Sequence, residues 1–337
     1  MSHGHPTLAD LRATVQKQRH REIGNWLARR VARPTAVYGS WVAVRLGLSA
    51  HQVTLAALAA SLGGALAIGT GSRAGFVLGV ALTHLGFWLD HVDGQVARWR
   101  GTACLDGVYL DYVMHHVGNF ALGFGLGFGL ASRSSQPAWA LAGFAIAGGW
   151  ALLSLHNDCL YKAFFQRLKS AGGTYLVAGG SGSRPSPPAS WPKRGIGLLS
   201  WPLYKVCEPH VVLMIITGLA VLAGVRPSLW LSCWRSGILV MAMLAPLLGA
   251  ARIARTVTRG SAEAEFSRWF RSAAPSALGV PAAAPFFSGI DVPCETELGY
   301  NSMFWSSPAA LRRRQGSSMS PVAAVVVMDI GPVPEAP

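Results

Sequence analysis

No Asp, Glu, Lys or Arg lies between the bounding residues of four stretches whose length is close to a bilayer crossing: Val53 to Thr70, Asp111 to Arg133, Arg133 to Asp158, and Glu208 to Arg226. Each interval approaches or exceeds the roughly 20 residues that a helix needs to span hydrocarbon. Two shorter runs, Ala74–Leu89 and Ser236–Ala251, are nearly fully apolar. Backbone N–H and C=O groups cannot be left unpaired in lipid, and nothing here alternates with the period of a barrel strand, so the runs predict helices. The expected fold class is an all-α integral membrane protein with six transmembrane helices. A composition that is 51% hydrophobic and 13% charged supports lipid as the solvent.

Charge placement then sets the topology. All but four of the 29 Lys and Arg fall in residues 1–48, in the second–third and fourth–fifth connections, or after the last span. The four exceptions are Arg73, Arg133, Arg226 and Arg235. By the positive-inside rule this places both termini and the second–third connection in the cytosol. A net charge of +14 can also signal a nucleic-acid partner. Its concentration on one side of the spans favours anionic lipid headgroups, so membrane lipids are the expected partner and nucleic acid is not. The five cysteines show no CxxC spacing and support neither a zinc site nor a disulfide framework. The polar N-terminal stretch does not have the form of a cleaved signal peptide.

Three regions follow from this pattern. Residues 1–48 form a cytosolic or interfacial segment, in which Ile23, Trp26, Leu27 and Val31 alternate with Arg21, Arg29 and Arg30 as in a basic amphipathic helix over residues 8–33, interrupted at Pro34-Thr35. Residues 49–256 hold the six spans, at about 49–70, 74–90, 107–131, 137–155, 209–225 and 229–251. Residues 257–337 read as a cytosolic, largely disordered tail rich in Ala, Pro, Ser and Gly. The segment GGSGSRPSPPASWPKRG between spans four and five reads as flexible. In span three, GFGLGFGL places Gly123 four residues before Gly127, and Gly125 four before Gly129. That spacing suits close helix packing, within one protomer or across a dimer, and does not suit a phosphate loop.

Against so little charge, FWLDHVDGQVARWRGTACLDGVYLDYVMHH (87–116) is conspicuous, with four aspartates and His115 and His116 between two apolar runs. If span two stays helical through its end, Asp90, Asp93 and Ala97 share one face at i, i+3 and i+7. Gly107, Asp111 and His115 form a second stripe at i, i+4 and i+8. Two helices joined by a short turn then point three carboxylates and an imidazole at one another. Like charges so close repel unless a cation lies between them, and hard oxygen ligands at a cytosolic cleft suit Mg²⁺ or Mn²⁺. Arg98 is spaced to meet a phosphate held by the same metal, and Gly94, Ala97 and Gly107 are small enough to let a ligand approach the backbone. Asp106 has no place in this pattern and reads as the start of span three.

The segment DHVDGQVARWRGTACLDGVYLDYVMH closely resembles the signature of the CDP-alcohol phosphatidyltransferase family, D-x2-D-G-x2-A-R-x8-G-x3-D-x3-D. Asp90, Asp93, Gly94, Ala97, Arg98, Gly107 and Asp111 stand at its positions with every spacing kept. The resemblance implies transfer of a phosphatidyl or phospho-alcohol group from a CDP-linked donor to an alcohol acceptor, with release of CMP, in phospholipid biosynthesis. It implies that Asp90, Asp93 and Asp111 ligate divalent metal, that Arg98 binds the diphosphate, and that Gly94, Ala97 and Gly107 make room for the nucleotide. SAHQVT resembles the family's PNxxT segment, with Thr54 matching as a nucleotide contact and Ala50 and His51 replacing Pro and Asn. The family analogy also implies a homodimer.

Two positions depart from the pattern. Cys104 stands where many members have Ser or Thr, and His115 replaces the last aspartate. A neutral imidazole with an ordinary pKa of about 6.5 is suited to general-base work, so His115 is expected both beside the metal and as the base that deprotonates the acceptor. The alternative function is a non-enzymatic or catalytically altered membrane protein that keeps the fold for nucleotide or lipid binding.

Overall fold

The computed structural model describes residues 7–15, 25–170, 174–177 and 197–273 of the 337. Helices α1 (Leu8–Val15), α2 (Arg33–Arg45), α3 (Ala50–Gly69), α4 (Arg73–Arg100), α5 (Leu105–Ser134), α6 (Ala138–Ser170), α7 (Gly197–Val206), α8 (Pro209–Val225), α9 (Pro227–Arg259) and α10 (Ser261–Trp269) follow in order. Apart from one antiparallel ribbon, β1 (Thr174–Val177) against β2 (Phe270–Ala273), the secondary structure of these residues is helical. Among the described residues, four helices are long and apolar enough to cross a membrane: α3, α4, α6 and α9. Helix α8 is apolar but stops at 17 residues. Helix α5 has the length, at 30 residues, but His115, His116 and Asn119 make its first half polar.

The chain divides into two compact units. One comprises residues up to Ser154 together with Trp191–Ala250 and contains the aspartate-rich stretch. The other comprises Leu155–Ser190 and the residues from Ala251 onward. In this second unit Phe164 packs edge-on to Phe266 at 5.4 Å, and Arg167 pairs with Glu263 at 3.2 Å. Helix α10 and β2 lie in the region expected as a disordered tail; the residues after 273 lie outside the described ones, as does the GGSGSRPSPPASWPKRG segment.

Helix α3 is the axis on which the first unit is assembled, and small residues explain why. A Cβ placed on Gly64 would come within 2.8 Å of the Gly79 carbonyl, and one on Gly79 within 2.9 Å of the Ile68 amide. Gly86 would likewise meet the Ala57 carbonyl at 2.9 Å. Helix α4 therefore runs antiparallel to α3 at backbone contact. Helix α5 runs parallel to α3 on another side, where a Cβ on Gly125 would lie 2.6 Å from the Ala65 carbonyl and Gly129 abuts that of Ile68. Gly123 and Gly127 face Ala147 and Gly143 of α6. The four glycines of GFGLGFGL thus pack helices within one chain. Such close approach gives the facing backbones dispersion contact at these glycines.

Far from the aspartates, the core closes on Phe76, Trp230 and Trp234, with the Phe76 ring 4.7 Å from Trp234 and 5.5 Å from Trp230. Arg133 stacks over Trp230 at 5.2 Å and donates to the Gly71 carbonyl at 3.2 Å. Polar pairs tie other helices to α4. The Thr217 hydroxyl donates to the Leu213 carbonyl at 2.7 Å. That leaves its oxygen as an acceptor, so His84 Nε2, 2.7 Å away, is the donor in their contact. Gln95, 3% exposed, donates to the Arg33 carbonyl at 3.1 Å and meets Ser40 at 2.9 Å, and Trp88 donates to Thr35 at 3.0 Å.

The expected break at Pro34-Thr35 does not occur. The chain is helical from Trp26 through Arg45, with a π-helical stretch at Ala28–Ala32 immediately before the proline. There the Arg33 amide bonds to the Ala28 carbonyl, five residues back. The wider turn takes up a residue in the ladder just where proline cannot donate, which removes the reason for a break. Residues 16–24, including Arg21 and Ile23, lie outside the described ones.

Candidate functional site

Helix α4 does not end with its apolar run at Leu89; it continues for eleven residues to Arg100. Its end is closed by Gly101 at φ 63°, a left-handed conformation that favours glycine. The Thr102 amide bonds to the Ala97 carbonyl at 3.0 Å and the Gly101 amide to that of Arg98 at 3.3 Å. Ala97 thus anchors the helix end through its backbone. A turn through Thr102, Ala103 and Cys104 then starts α5 at Leu105, where Asp106 is exposed in the first turn. The aspartate-bearing ends of the two helices are therefore antiparallel neighbours.

The two predicted stripes meet in part: Asp90 joins Asp111 and His115, whereas Asp93 is not in that group. Asp90, Asp111 and His115 each offer a ligand atom, and these atoms all lie within 4.8 Å of one another. His115 Nδ1 is 2.8 Å from the Asp111 carbonyl and 3.2 Å from Asp111 Oδ1. Both partners are acceptors, so Nδ1 carries the proton and Nε2 is the basic nitrogen of the neutral ring. Nε2 lies 3.6 Å from Asp90 Oδ1. A lone pair and a carboxylate at that separation favour a proton or a cation between them.

Asp93 is set deeper, 6% exposed. It accepts from the Gly94 amide and lies 2.6 Å from Thr54 Oγ1, which is also 3.0 Å from the Ala50 carbonyl. The contact exists because the glycine seam of α3 and α4 holds the helices close enough for a short side chain to reach across. Thr54, expected at the nucleotide, is thus engaged with an aspartate. At the start of α3, Ser49 and Gln52 form a reciprocal capping box that holds the SAHQVT segment in place.

Gly94 and Gly107 differ from the glycines of the helix seams. A Cβ on Gly94 would meet no atom closer than Arg98 Nη1 at 3.4 Å, and one on Gly107 none closer than His51 Nε2 at 3.6 Å, with Cys104 Sγ at 3.8 Å. Packing leaves room for a side chain at both positions, and the residue there is glycine. Arg98 lies over Gly94, and its Nε donates to the Val15 carbonyl at 2.8 Å.

Two further histidines border the site. His91 Nδ1 lies 3.2 Å from Asp90 Oδ2 and 3.1 Å from the Phe87 carbonyl. Both neighbours are acceptors, so Nδ1 is a donor that steadies the outer oxygen of Asp90. Its position beside Asp90 gives no signal, because neighbours in a helix normally diverge. His51 borders Gly107, and only its place in the SAHQVT segment points there.

In comparisons with known proteins, no family model matches the chain and no curated protein matches it significantly.

Proposed function

We propose that this protein is a divalent-metal-dependent CDP-alcohol phosphotransferase of the phosphatidyltransferase type, acting in phospholipid synthesis. The observation that carries the reading is the convergence of Asp90, Asp111 and His115 within 4.8 Å, with Asp93 one helical turn past Asp90 and bonded to Thr54. The donor set fits Mg²⁺ or Mn²⁺: carboxylate oxygens dominate it, and the glycines beside it leave space that packing does not need. Asp90, Asp93 and Asp111 would hold the metal, which when bound would neutralise the diphosphate and stabilise its developing charge.

The remaining chemistry belongs to the side chains. Arg98 offers its fork to a phosphate, and the backbone at Gly94 and Gly107 admits the nucleotide. The acceptor hydroxyl oxygen bonds to the phosphorus distal to the cytidine, and that phosphorus loses its bond to the bridging oxygen. CMP leaves with the bridging oxygen, and the hydroxyl proton passes to His115 Nε2. One nitrogen cannot accept that proton and ligate a metal at once, so we assign the base role to Nε2 and the metal to the carboxylates. An apolar groove of about 350 Å³ between α2, α3 and α4 is walled by Val53 and Val92, the neighbours of Thr54 and Asp93. It suits the acyl chain of a lipid donor whose headgroup sits at the aspartates.

In this reading α5 and α8 also cross the bilayer, for six spans in all, with the exposed Trp26 and Val31 at the membrane interface and both termini and the site in the cytosol. The partners are a CDP-linked donor, an alcohol acceptor, membrane lipids and a second copy of the chain. The test is release of CMP from CDP-diacylglycerol in the presence of MgCl₂ and a panel of acceptors. A non-enzymatic protein that only binds nucleotide or lipid would retain CDP and release no CMP.

A further inference from the structure

Helix α1 lies more than seventy residues before the aspartate motif in sequence, yet it is docked on it. Leu11 and Val15 are fully buried and form a cluster with Val37, against which Trp41 and Trp99 pack. Trp99 is the residue after Arg98. Arg12 donates to the Tyr38 hydroxyl at 2.9 Å, and Thr7 and Asp10 cap the helix start through reciprocal bonds of 2.6 to 3.2 Å. The Val15 carbonyl, at the other end, accepts from Arg98 Nε at 2.8 Å.

Carbonyls in the last turn of a helix lack intrahelical partners and carry the negative end of its dipole, so a guanidinium satisfies both needs. The guanidinium is planar. Fixing the direction of Nε–H leaves the Nη1 and Nη2 edge with a defined orientation, and that edge is the one lying over Gly94.

We propose that α1 is part of the ligand site: docked through Leu11, it uses the Val15 carbonyl to hold the Arg98 fork over Gly94 in the orientation that receives a nucleoside diphosphate. This rests on the preceding reading that Arg98 takes a phosphate. Leu11 and Val15 are then positioning residues. An eight-residue helix is marginal alone, so its order depends on this docking.

The experiment measures binding of CDP with MgCl₂ to the full-length protein in lipid nanodiscs, in a double-mutant cycle. Arg98→Ala is expected to weaken binding about tenfold, as loss of a charge-assisted fork does. Leu11→Asp should weaken it by a similar factor, add nothing further in the Arg98→Ala background, and be rescued by Leu11→Met. Thr7→Ala with Asp10→Ala, which frays α1 from its exposed end without touching the core, should act in the same direction. The proposal is overturned if both α1 variants bind CDP as wild type does, or if Leu11→Asp costs as much without Arg98 as with it. Unchanged CDP binding by Arg98→Ala would overturn it too, and would locate the failure in the functional reading itself.

Discussion

The glycines of α5 and those flanking the aspartates are the same residue under two different demands. Gly123, Gly125, Gly127 and Gly129 are held against backbone of α6 or α3, where a methyl group has no place. Gly94 and Gly107 face ordinary van der Waals distances, where a methyl group would fit the protein. In the first region glycine serves the fold, letting helix backbones meet; in the second the fold does not use its smallness, and the proposed ligand would. The first region also helps build the second: contact of α5 along α3 sets His51 beside Gly107, while the separate glycine seam between α3 and α4 brings Thr54 to Asp93.

That contrast can be broken at several points. The largest effect is expected from Asp111→Asn, which should lower CMP release by about a hundredfold or more, a range typical when a charge at a reacting centre is lost, while the thermal midpoint in detergent changes little. Next, Gly125→Ala and Gly129→Ala should destabilise the fold by about 1–3 kcal/mol each through overpacking, read as a lowered thermal midpoint. Gly107→Leu should leave that midpoint in place and weaken CDP binding instead. If the two sets of glycines respond alike, the division between fold and site is wrong. Thr54→Val removes one hydrogen bond to a buried carboxylate and should lower activity about tenfold with a smaller change in stability.

The smallest effect concerns α1. The Thr7 hydroxyl and amide hold the Asp10 carboxyl below its ordinary value of 3.8. Because the folded pKa is depressed, Asp10 stabilises α1 above that ordinary value and ceases to do so as pH falls through the lowered one. Hydrogen exchange at Leu11 and Arg12 should therefore speed up as the pH is lowered below about 4, beyond the intrinsic pH dependence, and Asp10→Asn should abolish the excess.

How much of this was legible follows from what charge reports. Uncharged runs mark where lipid is the solvent, so the reading of 209–225 coincides with α8. They do not mark where a helix ends. Helices α4, α6 and α9 run on past their apolar stretches to Arg100, Ser170 and Arg259, since the backbone ladder of a helix does not depend on apolar side chains. The spacing of Asp90, Asp111 and His115 was readable because a helix has a fixed period. Thr54 on Asp93, His91 on Asp90 and Val15 on Arg98 were not, since each depends on how closely two elements approach or on a rotamer.

The central claim, that the aspartate cluster performs transfer from a CDP-linked donor, is tested most directly in nanodiscs with labelled CDP-diacylglycerol, MgCl₂ and alcohol acceptors, comparing wild type with Asp111→Asn. The account predicts acceptor-dependent CMP release by the wild type and its near-complete loss in the variant. Release at the wild-type rate by Asp111→Asn would contradict it.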